Sequence, residues 1–153
     1  MFKGIIIVVI ILFTLIGGIL IFRNNQNRRI QRQEVQYYKQ DILNFSAEEV
    51  IEHHYKWKST GNLEGLELTL YETRDLDMYR GARNIKLLSL SEIEDSEKID
   101  WIRNLNWFPD HILYSKIFYV DFSFQGETYN FIYVVVKETS ESPWLIYRRF
   151  RDV

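Results

Sequence analysis

IFYVDFSFQGETYNFIYVVVKETSESPWLIYRRF, residues 117–150, is the stretch from which the fold can be read. Between Phe118 and Gln125 apolar and polar side chains alternate, and this period of two is typical of a strand with one buried face. The segment Gln125-Gly126-Glu127 then predicts a tight turn. The next run, Tyr129–Val136, is apolar in both phases, which indicates a central strand covered on both sides. After a polar turn, residues 144–150 are expected to form the closing strand.

Helical signals precede this sheet. Ser46 followed by Glu49 is a capping box, and apolar residues then recur at helical spacing until Gly61 ends the helix. The remaining elements are predicted in this order: a second helix over 63–71, a short third turn over 74–79, a strand over 85–94 and a helical segment over 96–106. Helices that precede a mostly antiparallel, four-stranded sheet indicate an α+β fold.

The N-terminal stretch Gly4–Phe22 carries no charge and only Thr14 as a polar side chain. At about 1.5 Å per residue, a helix of this length nearly spans the ~30 Å hydrocarbon core of a bilayer. The apolar run continues directly into Arg23 without a small-x-small cleavage site, which argues against a removable signal peptide. We therefore predict a retained transmembrane anchor over residues 1–22, with membrane lipid as its partner.

A polar, basic connector over residues 23–43 leads to a net acidic domain over 44–153. The connector is expected either to rest on anionic lipid headgroups or to form a solvated stalk. Its arginines favour a cytoplasmic domain, whereas a short N-terminus before an apolar segment is typical of a signal anchor that exports the domain behind it. The sequence leaves both orientations open, and we expect a single-pass membrane protein with an extracytoplasmic domain. The acidic domain argues against nucleic acid as a partner.

Three segments carry a resemblance to a known fold: residues 46–51 (SAEEVI), 61–63 (GNL) and 143–147 (PWLIY). With the paired long strands, they resemble the cone-shaped domain of nuclear transport factor 2-like proteins, where helices pack into the concave face of a curved sheet. The chain is also similar to a family of exported or membrane-tethered proteins of Gram-positive bacteria that is defined only as a domain of unknown function. The lipoprotein Cys usual in that family is absent here. The resemblance implies a cone-like domain with two or three helices and no particular activity.

Some enzymes with this fold use an Asp or His base in the pocket between helices and sheet. The candidate residues here are His54, Tyr55, Asp121 and Tyr133. His54 lies on the apolar face of its helix, where a core histidine with one hydrogen-bond partner is the ordinary explanation. Asp121 lies in the polar phase of its strand, as solvated residues do. We therefore expect no enzyme; the alternative is an isomerase or cyclase with His54 or Asp121 as base.

No metal or cofactor is expected from the sequence. His53 and His54 are adjacent and point about 100° apart on a helix, so they cannot chelate one ion together. Glu49 and His53 have a workable spacing but lack a third ligand, and His111 stands alone. The chain contains no Cys, which excludes thiolate sites.

Two groups of residues are candidates for binding. Trp101, Trp107 and Phe108 are expected either to contact a partner protein or membrane surface, or to cap the open end of the cone. Arg148 and Arg149 suit an anion or lipid headgroup, or else protect an exposed sheet edge from pairing.

Taken together, these features predict a membrane-anchored, non-enzymatic binding or assembly module. Its domain is expected to contact a partner protein, a small ligand or a second copy of itself. Secretion and conjugation machines of Gram-positive bacteria use a similar layout of anchor, stalk and cone domain, which is an analogy at the level of fold.

Overall fold

The computed structural model describes residues 2–72, 84–104 and 111–151, with the backbone alone for residues 2–13 and Arg103. The chain divides into two compact units, Met1–Tyr38 and Lys39–Val153. In chain order the elements are α1 (Phe2–Asp41), α2 (Ala47–Thr60), α3 (Leu63–Thr69), β1 (Lys86–Glu92), α4 (Ser96–Asn104), β2 (Tyr114–Phe124), β3 (Glu127–Lys137) and β4 (Leu145–Arg151). The strands form one four-stranded sheet in the order β1-β2-β3-β4, with every neighbouring pair antiparallel. The predicted α+β class and four-stranded antiparallel sheet are confirmed.

The β2–β3 hairpin closes through the two-residue turn that the sequence predicts. Phe124 pairs with Glu127, and both residues between them have positive φ angles, 54° at Gln125 and 87° at Gly126. Two successive positive φ angles belong to a turn whose twist matches that of the flanking strands. Glycine adopts this conformation without a steric penalty, which explains its place at the second turn position.

The register of the sheet assigns its side chains to two faces. Tyr55 of α2 lies against one face, with its ring centroid 5.3 Å from that of Phe122 and 5.9 Å from that of Tyr133. We call this the inner face. On the opposite, outer face, apolar residues of β2 and β3 join Ile93 and Ile102 in one buried cluster, with Ile99 of α4 packed against it. Residues 132–136 of β3 are all buried, so the prediction of a central strand covered on both sides is confirmed.

Helix α2 begins and ends as its sequence predicts. The Ser46 hydroxyl accepts a hydrogen bond from the Glu49 amide at 3.2 Å, and the Ser46 amide donates to the Glu49 carboxylate at 2.7 Å. Gly61 ends the helix with a φ of 70°. These contacts satisfy backbone groups that have no partner within the helix.

Helix α3 is placed against α2 by a close approach at Gly65. A Cβ atom built on Gly65 would lie 2.3 Å from Cδ2 of the Trp57 side chain. The Trp57 indole is buried and its own neighbours restrict any movement. Only glycine therefore fits at position 65 with the two helices at this separation.

The predicted second helix ends earlier than expected because its last residues join the sheet. Leu70 forms a parallel bridge with Ile146, and the Tyr71 amide donates to the Ile146 carbonyl at 2.9 Å. The Leu70 amide still donates to the Glu67 carbonyl, whereas the Tyr71 amide bonds to the free edge of β4 instead of to a helical carbonyl. The predicted third turn over 74–79 lies outside the described residues, as do the last two residues of the helix predicted over 96–106.

Helix α1 continues without a break from Phe2 to Asp41, so most of the predicted connector is helical. Among the residues that the structure describes, no helix combines the length and the apolar character needed to cross a membrane. In the predicted anchor, the side chains of residues 4–13 lie outside the described part of the chain.

Replacing Gly65 by alanine is expected to lower the free energy of unfolding by about 1–3 kcal/mol, because the new methyl group overlaps the Trp57 ring. Urea unfolding of the full-length chain in mild detergent measures this change. Glu67→Ala, at an exposed position of the same helix, serves as control and should change stability by no more than about 0.5 kcal/mol. Equal stability of the two variants would contradict the proposed close packing.

Candidate functional site

His54 is fully buried and joins α2 to α3. Its Nδ1 lies 3.0 Å from the Thr69 hydroxyl, which itself donates to the Leu66 carbonyl at 2.7 Å. Because a hydroxyl has only one proton to donate, His54 Nδ1–H must be the donor in the first contact. Burial, followed by the charges of Lys58 and Arg149, holds the pKa of His54 well below its ordinary value. His54 is thus a neutral histidine that forms the kind of contact expected in a core.

Tyr55 and Tyr133 connect α2 to β3 across the inner face. Their hydroxyl oxygens are 3.0 Å apart, and both side chains are buried. Burial raises the pKa of Tyr133, so the phenol stays protonated at neutral pH. The pair places a satisfied polar contact in the middle of an aromatic layer.

Asp121 lies on the other side of the sheet. It pairs in register with Asn130, two residues from the pair of Tyr119 and Ile132, so its side chain belongs to the outer face. Its carboxylate accepts hydrogen bonds of 2.6 Å from Ser89 Oγ and from Asn130 Nδ2. It therefore connects three strands, while the sheet lies between it and His54. The two bases considered for the isomerase or cyclase alternative do not face a common pocket.

Lys58 is a further residue of the inner face, and it is not among the candidate site residues predicted from the sequence. It lies four residues after His54, which places it on the buried side of α2, and only 3% of its surface is exposed. Its Nζ lies 5.5 Å from the ring centroids of both Tyr55 and Phe122. Burial, together with the positive charge of Arg149, lowers its pKa to about 7. Its spacing of four residues from His54 is the sequence feature that indicates its place on the buried side of the helix.

The two candidate arginines are separated by the sheet. Arg149 pairs with Tyr133 and so belongs to the inner face, where its guanidinium carbon is 5.9 Å from the Phe131 ring centroid. Arg148 is exposed, with its guanidinium carbon 5.3 Å from the Tyr147 ring centroid. The two side chains therefore lie on opposite sides of the sheet, and their predicted role in binding an anion or headgroup stays a prediction.

Trp101, the first of the candidate aromatic residues, is 55% exposed on α4, whereas its neighbour Ile102 is fully buried. Trp107 and Phe108 lie outside the described residues. Across the described ranges no group of three or more His, Cys, Asp or Glu side chains is arranged to hold a metal ion.

No family model matches the chain, and neither a curated protein nor a solved structure shows significant similarity to it. The resemblance to nuclear transport factor 2-like proteins and to the exported Gram-positive family therefore stays a prediction from the sequence. Inferences about function rest on the contacts within the chain itself.

Lys58→Met is expected to stabilise the domain at pH 7, because the charged ammonium is costly to bury. In the unfolded chain the pKa of Lys58 is near its ordinary value of 10.5, whereas in the folded chain its pKa is about 7. Between about pH 7 and pH 10.5, Lys58 is therefore protonated more in the unfolded chain than in the folded one. Its contribution makes the free energy of unfolding rise with pH over this range. The gain from Lys58→Met should be largest at pH 7, on the order of 1–4 kcal/mol, and should shrink towards pH 10.

Urea unfolding at pH 7 and at pH 9.5 tests this prediction. Lys56→Met, at an exposed position on the same helix, is the matched control and should show little pH-dependent difference from the unmodified chain. If Lys58→Met were less stable than the unmodified chain at pH 7, or gained the same stability at both pH values, the lowered pKa of a buried Lys58 would be contradicted.

Proposed function

We propose that this chain is a membrane-tethered, non-enzymatic binding module whose cone-like domain contacts a partner protein or a small ligand. One observation supports the non-enzymatic part of the proposal. His54, Tyr133 and Asp121 each bond to neighbouring side chains that hold helices or strands together, and Asp121 lies on the opposite side of the sheet from the other two. Acid–base catalysis needs such groups to converge on one substrate.

The sequence of the N-terminal unit supports the tether. An uncharged stretch over Gly4–Phe22 is followed by four basic residues, Arg23, Arg28, Arg29 and Arg32. This is the order expected of an apolar membrane anchor followed by a basic segment that lies at the lipid headgroups. We place the domain outside the cytoplasm, by the uncleaved signal-anchor layout. The packing of α2 on the inner face supports the cone-like arrangement of the domain, since a helix covers one side of the sheet as that fold requires.

The contact surface for a partner protein is assigned to α4. Ile99 and Ile102 attach this helix to the outer-face core, and Trp101 points away from them with more than half of its surface exposed. A large, rigid side chain in this position offers apolar area at little entropic cost, and tryptophan is enriched among the residues that dominate binding energy. Binding of a partner would bury this indole.

A photo-cross-linking amino acid at position 101 tests this surface in membranes of cells that produce the full-length chain. We expect an adduct of one defined mass, which competes away when the unmodified chain is produced in excess. The same amino acid at position 88 is the matched control, because Leu88 is similarly exposed but lies on β1. The absence of any adduct at position 101, or equal adducts at both positions, would contradict a specific partner surface on α4. A mass equal to twice that of the chain would identify self-association.

A further inference from the structure

Three polar side chains from separate parts of the domain converge near the outer edge of β4. Tyr71 lies just after α3, His111 precedes β2, and Glu138 lies directly after β3. The Tyr71 hydroxyl oxygen is 2.5 Å from His111 Nε2 and 2.8 Å from Glu138 Oε1, and the latter two atoms are 3.4 Å apart. Tyr71 also packs against the outer-face cluster that contains Ile102 of α4.

The protons in this group can be assigned from its contacts. The Tyr71 hydroxyl donates its one proton to the Glu138 carboxylate. The Tyr71 oxygen therefore accepts from His111, which places a proton on Nε2. The hydrogen bond to Glu138 is the main cause that raises the pKa of Tyr71 to about 12, so the phenol is neutral in this arrangement. Two protons thus lie between three atoms: the Glu138 carboxylate is already a possible metal ligand, and His111 Nε2 and the Tyr71 oxygen become ligands when these protons leave them.

The spacing of the three atoms matches one face of a metal coordination shell. Zinc binds nitrogen and oxygen ligands at about 2.0–2.2 Å, so neighbouring ligand atoms lie about 3.4 Å apart in a tetrahedral shell and about 3 Å apart in an octahedral one. The 3.4 Å between His111 Nε2 and Glu138 Oε1 equals the tetrahedral value, and the hydrogen-bonded separations of 2.5 and 2.8 Å lengthen to admit the ion once the protons between the atoms leave. One imidazole nitrogen with a carboxylate and a phenol oxygen suits divalent first-row transition metals and is a poor set for magnesium, which prefers oxygen alone.

The backbone around these residues keeps two of the three ligands in place. The Tyr71 amide is bonded to Ile146 of β4, and its ring packs edge-on against Tyr147 with centroids 5.4 Å apart. Glu138 comes directly after the last residue of β3. The rings of Tyr71 and His111 are stacked at an angle of 29°. Ligands attached to strand ends hold their geometry better than ligands on long loops.

A cleft beside Tyr71 and Glu138 leaves room for further ligands. Its volume is about 330 Å³, and Tyr71 and Glu138 both line it together with Ser142 and Pro143. The side chains of His111 and Glu138 are 59% and 48% exposed, so an ion reaches them from solvent. Water or an exogenous ligand can occupy the coordination positions that face this cleft.

We propose that Tyr71, His111 and Glu138 form a binding site for one divalent transition-metal ion, with open coordination positions towards the adjacent cleft. On binding, the imidazole proton of His111 moves from Nε2 to Nδ1, the Tyr71 hydroxyl proton is released to solvent, and the ion lies between the three atoms. No local pattern in the sequence indicates this site, because Tyr71, His111 and Glu138 are far apart along the chain.

Calorimetric titration of the full-length chain in detergent micelles with ZnCl2 tests the proposal. We expect one Zn²⁺ per chain, a rise in melting temperature on binding, and no comparable response to MgCl2. His111→Asn and Glu138→Gln should each weaken Zn²⁺ binding by about 10-fold or more. His53→Asn is the matched control, since His53 is partly exposed on α2, away from the three ligands, and should leave affinity unchanged.

Cobalt substitution provides a second measurement that does not depend on stability. Co²⁺ bound at the site should give visible absorption bands that change in Tyr71→Phe, which removes only the phenol oxygen. Circular dichroism verifies that each variant keeps its fold. The proposal is overturned if Zn²⁺ does not bind at about 100 µM, or if it binds equally well to His111→Asn and Tyr71→Phe, which would indicate adventitious surface ions only.

Discussion

Strand β3 is buried on both of its faces over residues 132–136, and both β2 and β4 pair with it, so the two layers of the domain meet at this strand. Residues 132–136 are covered by α2 on the inner face and by the cluster of Ile93 and Ile102 on the outer face. Each buried apolar side chain of this kind contributes about 1.5–3 kcal/mol relative to an exposed one. Since side chains of a strand alternate between faces, a shift of one residue would exchange the two sets and remove each side chain from the partners it packs against. The register of β3 thereby fixes which side chains its neighbouring strands present on each side.

This division of the sheet also distributes its polar chemistry. His54, Lys58 and Tyr133 lie on the inner face, where burial disfavours the charged forms of all three side chains. Asp121 is held on the outer face by Ser89 and Asn130. Groups that suggest acid–base chemistry when read along the sequence are kept apart by a layer of backbone. A tryptophan on α4 and a cluster of polar side chains at the edge of β4 stay accessible.

The sequence predicted the elements that local chemistry specifies, and it missed those that depend on distant contacts. Alternation identified β2, the doubly apolar run identified β3, and the capping box at Ser46 identified the start of α2. The pairing of Tyr71 with Ile146 was not predictable, because residues just after a helix carry no local sign of a strand partner elsewhere. Tyr71 likewise meets His111 and Glu138 across 40 and 67 positions of sequence. A site whose residues are adjacent or regularly spaced can be recognised in the sequence, whereas a site that folding assembles from distant residues is visible only in three dimensions.

Membrane topology is the property whose measurement decides whether the chain is a tethered extracytoplasmic module. The chain has no Cys, so Ser140→Cys in the exposed β3–β4 turn introduces a single reactive thiol. A membrane-impermeant maleimide is then applied to intact cells that produce the full-length chain. A membrane-tethered module with an extracytoplasmic domain predicts labelling in intact cells, with the labelled chain in the membrane fraction. Labelling only after lysis, or a chain recovered in the soluble fraction, would contradict the proposed tether and its orientation.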